Sequence, residues 1–169
     1  MSRKLNHFDA SGNAHMVDVG EKPATRRTAQ AVGFVKLLNE TVELIESGTA
    51  KKGDVLGTAR LAGIMASKQT PTLIPLCHVI SIDSVNIEFS MARSAGEHSQ
   101  LEIRCLVKST GSTGVEMEAL TAVSVAALTV YDMCKSVDRE MEICGVSLVS
   151  KTGGASGEFK RTMKSEGGS

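Results

Sequence analysis

Two segments in the middle of the chain alternate apolar and polar residues, as half-buried β-strands do. In residues 85–90 the apolar positions are Val85, Ile87 and Phe89. Residues 101–108 repeat the pattern, and the connection between the two segments is polar and contains Gly96. We therefore expect an antiparallel hairpin whose loop is longer than a tight two-residue turn.

Helical spacing of apolar residues predicts an amphipathic helix over residues 26–47, ended by Gly48. Its apolar positions are Val35, Leu38, Val42 and Ile45. A second helix is predicted to begin after Asp54, a favourable N-cap residue, and to end at the break before Pro71.

The most informative stretch lies between Thr113 and Lys135, where charged residues bracket a long uncharged run rich in Ala, Val, Leu and Thr. This composition predicts a buried helix with ionisable groups at its ends. Those groups are Glu116, Glu118, Asp132 and Lys135. Because an unpaired charge at the edge of an apolar core is strongly unfavourable, we expect these side chains to serve a ligand or a catalytic cleft.

Two further strands complete the predicted order. Residues 16–19 form a short first strand, and residues 141–149 form the last, with a bulge where the apolar parity changes at Cys144 and Gly145. The order strand, helices, two strands, helix, strand predicts an α+β fold. We expect a ferredoxin-like sandwich, an antiparallel four-stranded sheet with helices packed on one face.

At 169 residues, of which 41% are hydrophobic, the chain has the size and core of one domain, residues 1–169. We expect an ordered core over about residues 12–160 and mobile polar tails. Lysine plus arginine (19) balance aspartate plus glutamate (19), and aromatic residues make up 3%. A nucleic-acid partner is therefore not expected, because both a basic excess and stacking platforms are missing.

No apolar run typical of a signal sequence opens the chain, and no later stretch approaches the ~20 apolar residues of a membrane span. We expect a soluble protein without a membrane partner, cytoplasmic in a bacterium, with a mitochondrial location as the alternative in a eukaryote. The cysteines form no CxxC pair, and the histidines lack further ligands at metal-binding spacing. Reduced thiols and no metal site are expected.

Asp132 and Lys135 stand three residues apart and share a helix face, where they form a plain salt bridge or reach one ligand together. Partial burial would lower the pKa of Lys135 and make it usable as a general acid or base. Glu116 follows Thr113 at the spacing of a capping box, so a structural role competes with a ligand role. Glu118 lies two residues after Glu116 and cannot share both the cap and the same helix face, so it needs a partner of its own.

Further positions offer ligand contacts, each with a structural alternative. Cys77 and His78 end an apolar run after a helix break, where an isolated histidine is more often structural. Lys51 and Lys52 precede a predicted helix N-terminus, a combination that favours a phosphate-bearing ligand. Lys151 opens a glycine-rich stretch that lacks the P-loop pattern and is alternatively a flexible tail.

Six segments together resemble the cyclic pyranopterin monophosphate synthase family, molybdenum cofactor biosynthesis protein C, across about residues 12–160 in unbroken order. The segments are HMVDV (15–19), KKGDV (51–55), LIPLCH (73–78), TGVEMEALTA (113–122), AALTVYDMCK (126–135) and KTGG (151–154). The resemblance implies a ferredoxin-like subunit, a hexamer built as a trimer of dimers, and a substrate site at the dimer boundary. It implies a lyase that converts 3′,8-cyclo-7,8-dihydro-GTP into cyclic pyranopterin monophosphate and diphosphate, without a redox cofactor.

Carried over position by position, the resemblance implies catalytic roles for Lys52, Asp132 and Lys135. It implies substrate contacts at Leu76, Cys77, His78, Glu116, Met117, Glu118 and Lys151. The chain departs from bacterial relatives at Ser112, where they often carry a basic residue, and at Val79, where they often carry proline.

Two other classes of function fit the residues. A catalytically silent ferredoxin-like module that binds a phosphorylated metabolite would explain the basic loop around Lys52. A purely structural oligomer would explain the charged helix ends as an interfacial salt-bridge network.

Overall fold

The computed structural model describes residues 11–154 and 157–162, and the tails expected at the two ends lie almost entirely outside these ranges. The strands are β1 (Thr25–Leu38), β2 (Ser84–Ala92), β3 (His98–Gly111), β4 (Glu142–Thr152) and β5 (Phe159–Lys160). The helices are α1 (Asn39–Glu46), α2 (Val55–Lys68), α3 (Thr70–Leu73) and α4 (Glu116–Cys134). The order strand, helices, two strands, helix, strand is the predicted one, but the first strand lies at Thr25–Leu38 rather than at residues 16–19, and one short strand is added at the end.

The strands form an antiparallel sheet in the order β2-β3-β1-β4-β5. α4 lies across β1, β3 and β4, and α2 packs against α4 and β2. The predicted α+β, ferredoxin-like sandwich is therefore confirmed. β5, which is two residues long, extends the four expected strands at the β4 edge.

The helix predicted over residues 26–47 is wrong for most of its length, because β1 occupies the first part and only α1 is helical. β1 is a central strand that hydrogen-bonds to β3 on one side and β4 on the other. Its fully buried alternate residues are Ala29, Ala31, Val35 and Leu37. The alternation of buried residues that is typical of a strand was overlooked, because Val35 and Leu38 are three residues apart and also fit the spacing of a helix.

The strand predicted over residues 16–19 is also wrong, because this segment has no strand conformation and Met16 is exposed. The predicted bulge in the last strand is confirmed. The register between β1 and β4 shifts between Val32 and Phe34, where β4 carries Cys144 and Gly145. Gly145 has a φ of 62°, a conformation that glycine adopts without steric penalty.

The core is built around α4, a helix of 19 residues. Its fully buried residues include Ala119, Ala122, Val123, Ala126, Ala127 and Val130. By length and composition alone α4 is apolar enough to cross a membrane, but most of it is buried inside the fold. These small side chains let the backbone of α4 approach its neighbours closely.

α2 and α4 approach closely at Gly63 of α2. A Cβ atom at this position would lie 2.9 Å from the backbone oxygen of Ala122 and 2.5 Å from Cδ1 of Ile87. Because backbone cannot move aside as a side chain does, α2 would have to shift away from α4 to admit even a methyl group.

We predict that Gly63→Ala lowers the free energy of unfolding by roughly 1–3 kcal/mol, as overpacking does in other cores. Urea denaturation followed by circular dichroism measures the change. Gly96→Ala is the matched control, because the nearest neighbour of its Cβ would lie at 3.5 Å. Equal stabilities of the two variants would contradict the close approach of α2 and α4.

Candidate functional site

The N-terminal end of α4 is held by an ion pair, and the predicted capping box is wrong. Lys151 Nζ lies 2.8 Å from Glu116 Oε1, which joins the start of the helix to β4. Val115 occupies the N-cap position, and no side chain caps the helix. Glu116 is therefore the first helical residue, whereas a capping box requires Thr113 at the N-cap and the glutamate at the third helical position.

A polar pocket of about 210 Å³ opens beside this ion pair, and its cationic lining residues are Lys22, Arg27 and Lys151. Arg27 is only 8% exposed. It donates from Nε to the Gly111 oxygen at 3.1 Å and from Nη2 to the Ser112 oxygen at 3.2 Å. Among the ion pairs of the described residues, none joins Arg27 to a carboxylate. A buried guanidinium without a countercharge favours binding of an anion in this pocket.

A second pocket, of about 640 Å³, shares Thr113, Gly114 and Glu116 with the polar pocket. Five of the predicted substrate contacts line it, namely Leu76, Cys77, His78, Glu116 and Met117. Its remaining lining residues are Ala14, Ile74, Pro75, Ile80, Thr113 and Gly114. An apolar cavity that continues into a cationic one suits a ligand with a flat ring and an anionic tail.

His78 is oriented by the segment that was predicted as the first strand. Its Nε2 atom lies 2.7 Å from the backbone oxygen of Val17. Because a carbonyl oxygen only accepts hydrogen bonds, Nε2 must carry a proton, which leaves Nδ1 with the free lone pair in the neutral ring. Val79, where proline was expected in bacterial relatives, is 90% exposed.

Glu118 is a buried carboxyl with too few partners. It is 1% exposed, its Oε1 lies 3.6 Å from the thiol of Cys77, and its Oε2 has no hydrogen-bond partner. Burial raises the pKa of Glu118 above its ordinary value, and the nearby Glu116 raises it further. Burial and the Glu118 carboxylate also raise the pKa of the Cys77 thiol to about 11, so Cys77 is a thiol rather than a nucleophilic thiolate.

The three residues expected to be catalytic meet at the C-terminal end of α4. Asp132 Oδ1 lies 2.7 Å from Lys135 Nζ, and Asp132 Oδ2 lies 2.8 Å from Lys52 Nζ. Lys52 also donates to the backbone oxygen of Asp132 at 2.8 Å, satisfying a carbonyl at the helix end. Hydrogen bonds from Lys135 and Lys52 lower the pKa of Asp132 to about 2.

The expected lowering of the Lys135 pKa by burial is wrong for the isolated chain. Its side chain is about half exposed, and the hydrogen bond from Lys135 to Asp132 raises the pKa of Lys135. Lys135 is therefore an ammonium group, suited to donate a proton. At the start of α2 the Asp54 carboxylate accepts from Gly57 N at 2.8 Å, and the anion site expected there stays a prediction.

The two groups of residues lie at opposite ends of α4. At a rise of ~1.5 Å per residue, Glu116 and Asp132 are about 24 Å apart along the helix axis. Within one chain, the two pockets beside Glu116 and the lysine–aspartate cluster (Lys52, Asp132 and Lys135) therefore do not face each other.

Sequence reasoning missed Lys22 and Arg27. Lys22 lies in a turn without a motif, and Arg27 lies in the segment predicted as a helix. In a strand, Arg27 lies on the same face as Ala29 and Ala31. A strand prediction for this segment would therefore have placed an arginine on the buried face and marked it as a candidate site residue.

Comparison with known proteins identifies close relatives. The profile of the MoaC family matches residues 16–154. A cyclic pyranopterin monophosphate synthase from Desulforamulus reducens is 57% identical over 163 residues, covering 96% of this chain and 97% of the relative. Synthases of the same name from Clostridium botulinum (56% over 159 residues; 94% and 98%) and Pelotomaculum thermopropionicum (57% over 157 residues; 93% and 91%) are similarly close.

We predict that Glu118→Gln stabilises the fold at neutral pH. Because the pKa of Glu118 is higher in the folded than in the unfolded chain, ionisation favours unfolding once the pH exceeds the unfolded value of about 4.3. The free energy of unfolding of Glu118→Gln should therefore exceed that of the unaltered protein by an amount that grows with pH. This difference increases by at most ~1.4 kcal/mol per pH unit above the unfolded pKa and stops increasing above the folded pKa.

Urea unfolding between pH 4 and 8 tests this, with Glu97→Gln at an exposed position as the control. A stability difference that stays constant with pH would show that Glu118 titrates normally.

Proposed function

The chain belongs to the MoaC family, and from this premise we infer that it is a cyclic pyranopterin monophosphate synthase, a lyase of molybdenum cofactor biosynthesis. The observation that carries the activity is the match to three synthases at 56–57% identity over 93–96% of this chain. We further propose that its substrate is 3′,8-cyclo-7,8-dihydro-GTP and that its products are cyclic pyranopterin monophosphate and diphosphate.

We propose that the two connected pockets hold this substrate. The purine-derived ring would lie in the apolar pocket against Leu76, Cys77 and Met117, and Glu118, buried behind the lining of this pocket, would act on the ring through the Cys77 thiol. The triphosphate would lie in the polar pocket, where Lys151 and the uncompensated charge of Arg27 support anion binding. Ser112 stands where bacterial relatives often carry a basic residue, but the pocket remains cationic because Lys22 and Arg27 also line it.

Lys135 is proposed as the principal proton donor. Its raised pKa keeps it charged at neutral pH, and Asp132 fixes its position at 2.7 Å. During ring opening the ammonium group would protonate a departing ring nitrogen. Lys52, held on the other oxygen of Asp132, would keep the cluster cationic and stabilise negative charge that develops on the substrate.

Closure of the cyclic phosphate releases diphosphate. A substrate hydroxyl attacks the α-phosphorus, a new P–O bond forms, and the P–O bond to the β-phosphate breaks with its electron pair leaving on diphosphate. The hydroxyl proton would pass to Nδ1 of His78, which lines the apolar pocket and whose Nε2 is held by the Val17 oxygen. The cations of the polar pocket stabilise the charge on the leaving diphosphate.

We propose that each active site is shared by two subunits of a hexamer built as a trimer of dimers. The distance of about 24 Å between the two ends of α4 exceeds the reach of one nucleotide, which supports a site in which a neighbouring subunit brings its lysine–aspartate cluster to the pockets. Large exposed apolar side chains on the helices and in the turn after α4 support subunit contact. They are Leu61, Met65, Leu73, Leu128 and Val137.

A cytoplasmic location is proposed as well. The named relatives are bacterial synthases, and a nucleotide-derived substrate is made inside the cell.

Lys135→Ala should lower formation of both products at least about 100-fold, the usual size of general acid catalysis. Diphosphate and pyranopterin are measured with freshly prepared cyclic dihydro-GTP. Lys68→Ala, an exposed lysine at the end of α2, serves as the control. Near-normal turnover by folded Lys135→Ala would refute the role of this lysine, and substrate binding without product in the unaltered protein would favour a silent binding module.

Mixed oligomers test the sharing of the site. If the pockets and the lysine–aspartate cluster come from different subunits, co-expressed Lys135→Ala and Lys151→Ala chains form some sites with neither substitution. Random assembly would restore about a quarter of the sites. Purification through two different tags isolates the mixed oligomers, and the two variants purified separately are the controls. Activity no higher than that of the separate variants would place each site within a single subunit.

A further inference from the structure

Asp138 is a buried carboxyl just after the turn that follows the C-terminal end of α4. It is 2% exposed and accepts hydrogen bonds on both oxygens. Oδ2 accepts from the backbone nitrogen of Leu38 at 2.8 Å and from Thr41 Oγ1 at 3.2 Å, and Oδ1 accepts from the nitrogen of Glu140 at 3.1 Å. None of the ion pairs of the described residues includes Asp138.

These bonds connect the two chain segments that supply the lysine–aspartate cluster. Asp138 lies just after Lys135, and its own backbone nitrogen bonds to the Cys134 oxygen at 3.1 Å, which closes the end of α4. Leu38 and Thr41 lie at the start of α1, and the loop after α1 carries Lys52.

The two segments are thus joined at two points. Lys52 bonds to the side chain and backbone of Asp132, and Asp138 bonds to the start of α1. The Lys52 contact is solvent-exposed, with both side chains about half accessible, whereas the Asp138 contact is buried. Because exposed ion pairs stabilise little, the buried contact is the one able to hold the geometry.

We propose that Asp138 is a positioning residue for the synthase reaction, which holds Lys52 against Asp132 and Lys135 by fastening the end of α4 to the start of α1. The inference rests on the proposed function of this cluster. In all three hydrogen bonds to Asp138 the partner is the donor and a carboxylate oxygen is the acceptor. Asparagine has only one accepting oxygen, because its NH₂ group donates. Asp138→Asn therefore leaves at least one donor unpaired while conserving size.

Asp138→Asn is expected to lower kcat about 10- to 100-fold, as small misplacements of catalytic groups do. KM should change by less than about threefold, because the substrate pockets lie at the other end of α4. The basic limb of the kcat profile should move to lower pH, because a loosened contact with Asp132 raises the pKa of Lys135 less. The other titratable or charged groups around Lys135 are Lys52, Tyr131 and Arg139.

Thr41 supplies a milder test should Asp138→Asn fail to fold. Thr41→Val removes one of the three donors at nearly constant volume and should lower kcat and shift the basic limb in the same direction by a smaller amount. Thr41→Ser keeps the hydroxyl and should restore both towards the unaltered protein. Asp83→Asn is the matched control, because Asp83 also accepts from a threonine hydroxyl, Thr110, but lies outside the cluster.

The outcomes separate this proposal from the function on which it rests. Absence of product from the unaltered protein would refute the synthase activity itself. An active protein whose Asp138→Asn and Thr41→Val variants lose thermal stability but keep kcat per folded site and an unmoved basic limb would show that Asp138 is structural only.

Discussion

The packing of α4 against the sheet is the contact on which the positions of the other elements depend. The middle of the helix is buried on β1, β3 and β4 on one side and meets α2 on another, through small side chains such as Ala122 and Ala126. This burial fixes both the rotation of the helix and its position along its own axis. The charged residues beyond each end of the buried stretch must therefore emerge at two defined edges of the fold.

Local periodicity was sufficient to predict the elements whose burial is one-sided. The β2–β3 hairpin was found because its polar face remains in water, and α4 was found because its apolar run is too long for a strand. α2 was found from its boundaries, the N-cap residue Asp54 and the break before Pro71. β1 was missed for a tertiary reason. Val32, on the face opposite Ala31, is buried as well, which interrupts the alternation of apolar and polar residues, and the helical residues Val42 and Ile45 that follow extended the false pattern.

The sequence was sufficient to predict those site residues that are charged and lie next to a long apolar segment. Glu116, Glu118, Asp132 and Lys135 were identified because they border the uncharged run of α4. The partners of these residues come from distant segments, as Lys151 does for Glu116 and Lys52 for Asp132, and no local pattern encodes such contacts. The direction of the Lys135 pKa could not be predicted either, because it depends on whether the Asp132 contact outweighs desolvation.

The length of α4 constrains where the chain tolerates insertions. Adding one residue to a helix rotates everything beyond it by about 100° and advances it by ~1.5 Å, so an insertion would turn the lysine–aspartate cluster away from its present edge of the fold. Substitutions within the buried stretch leave this spacing intact, provided that volume is conserved. An insertion in α4 therefore displaces this cluster, whereas the exposed loop between β2 and β3 can be lengthened without moving it.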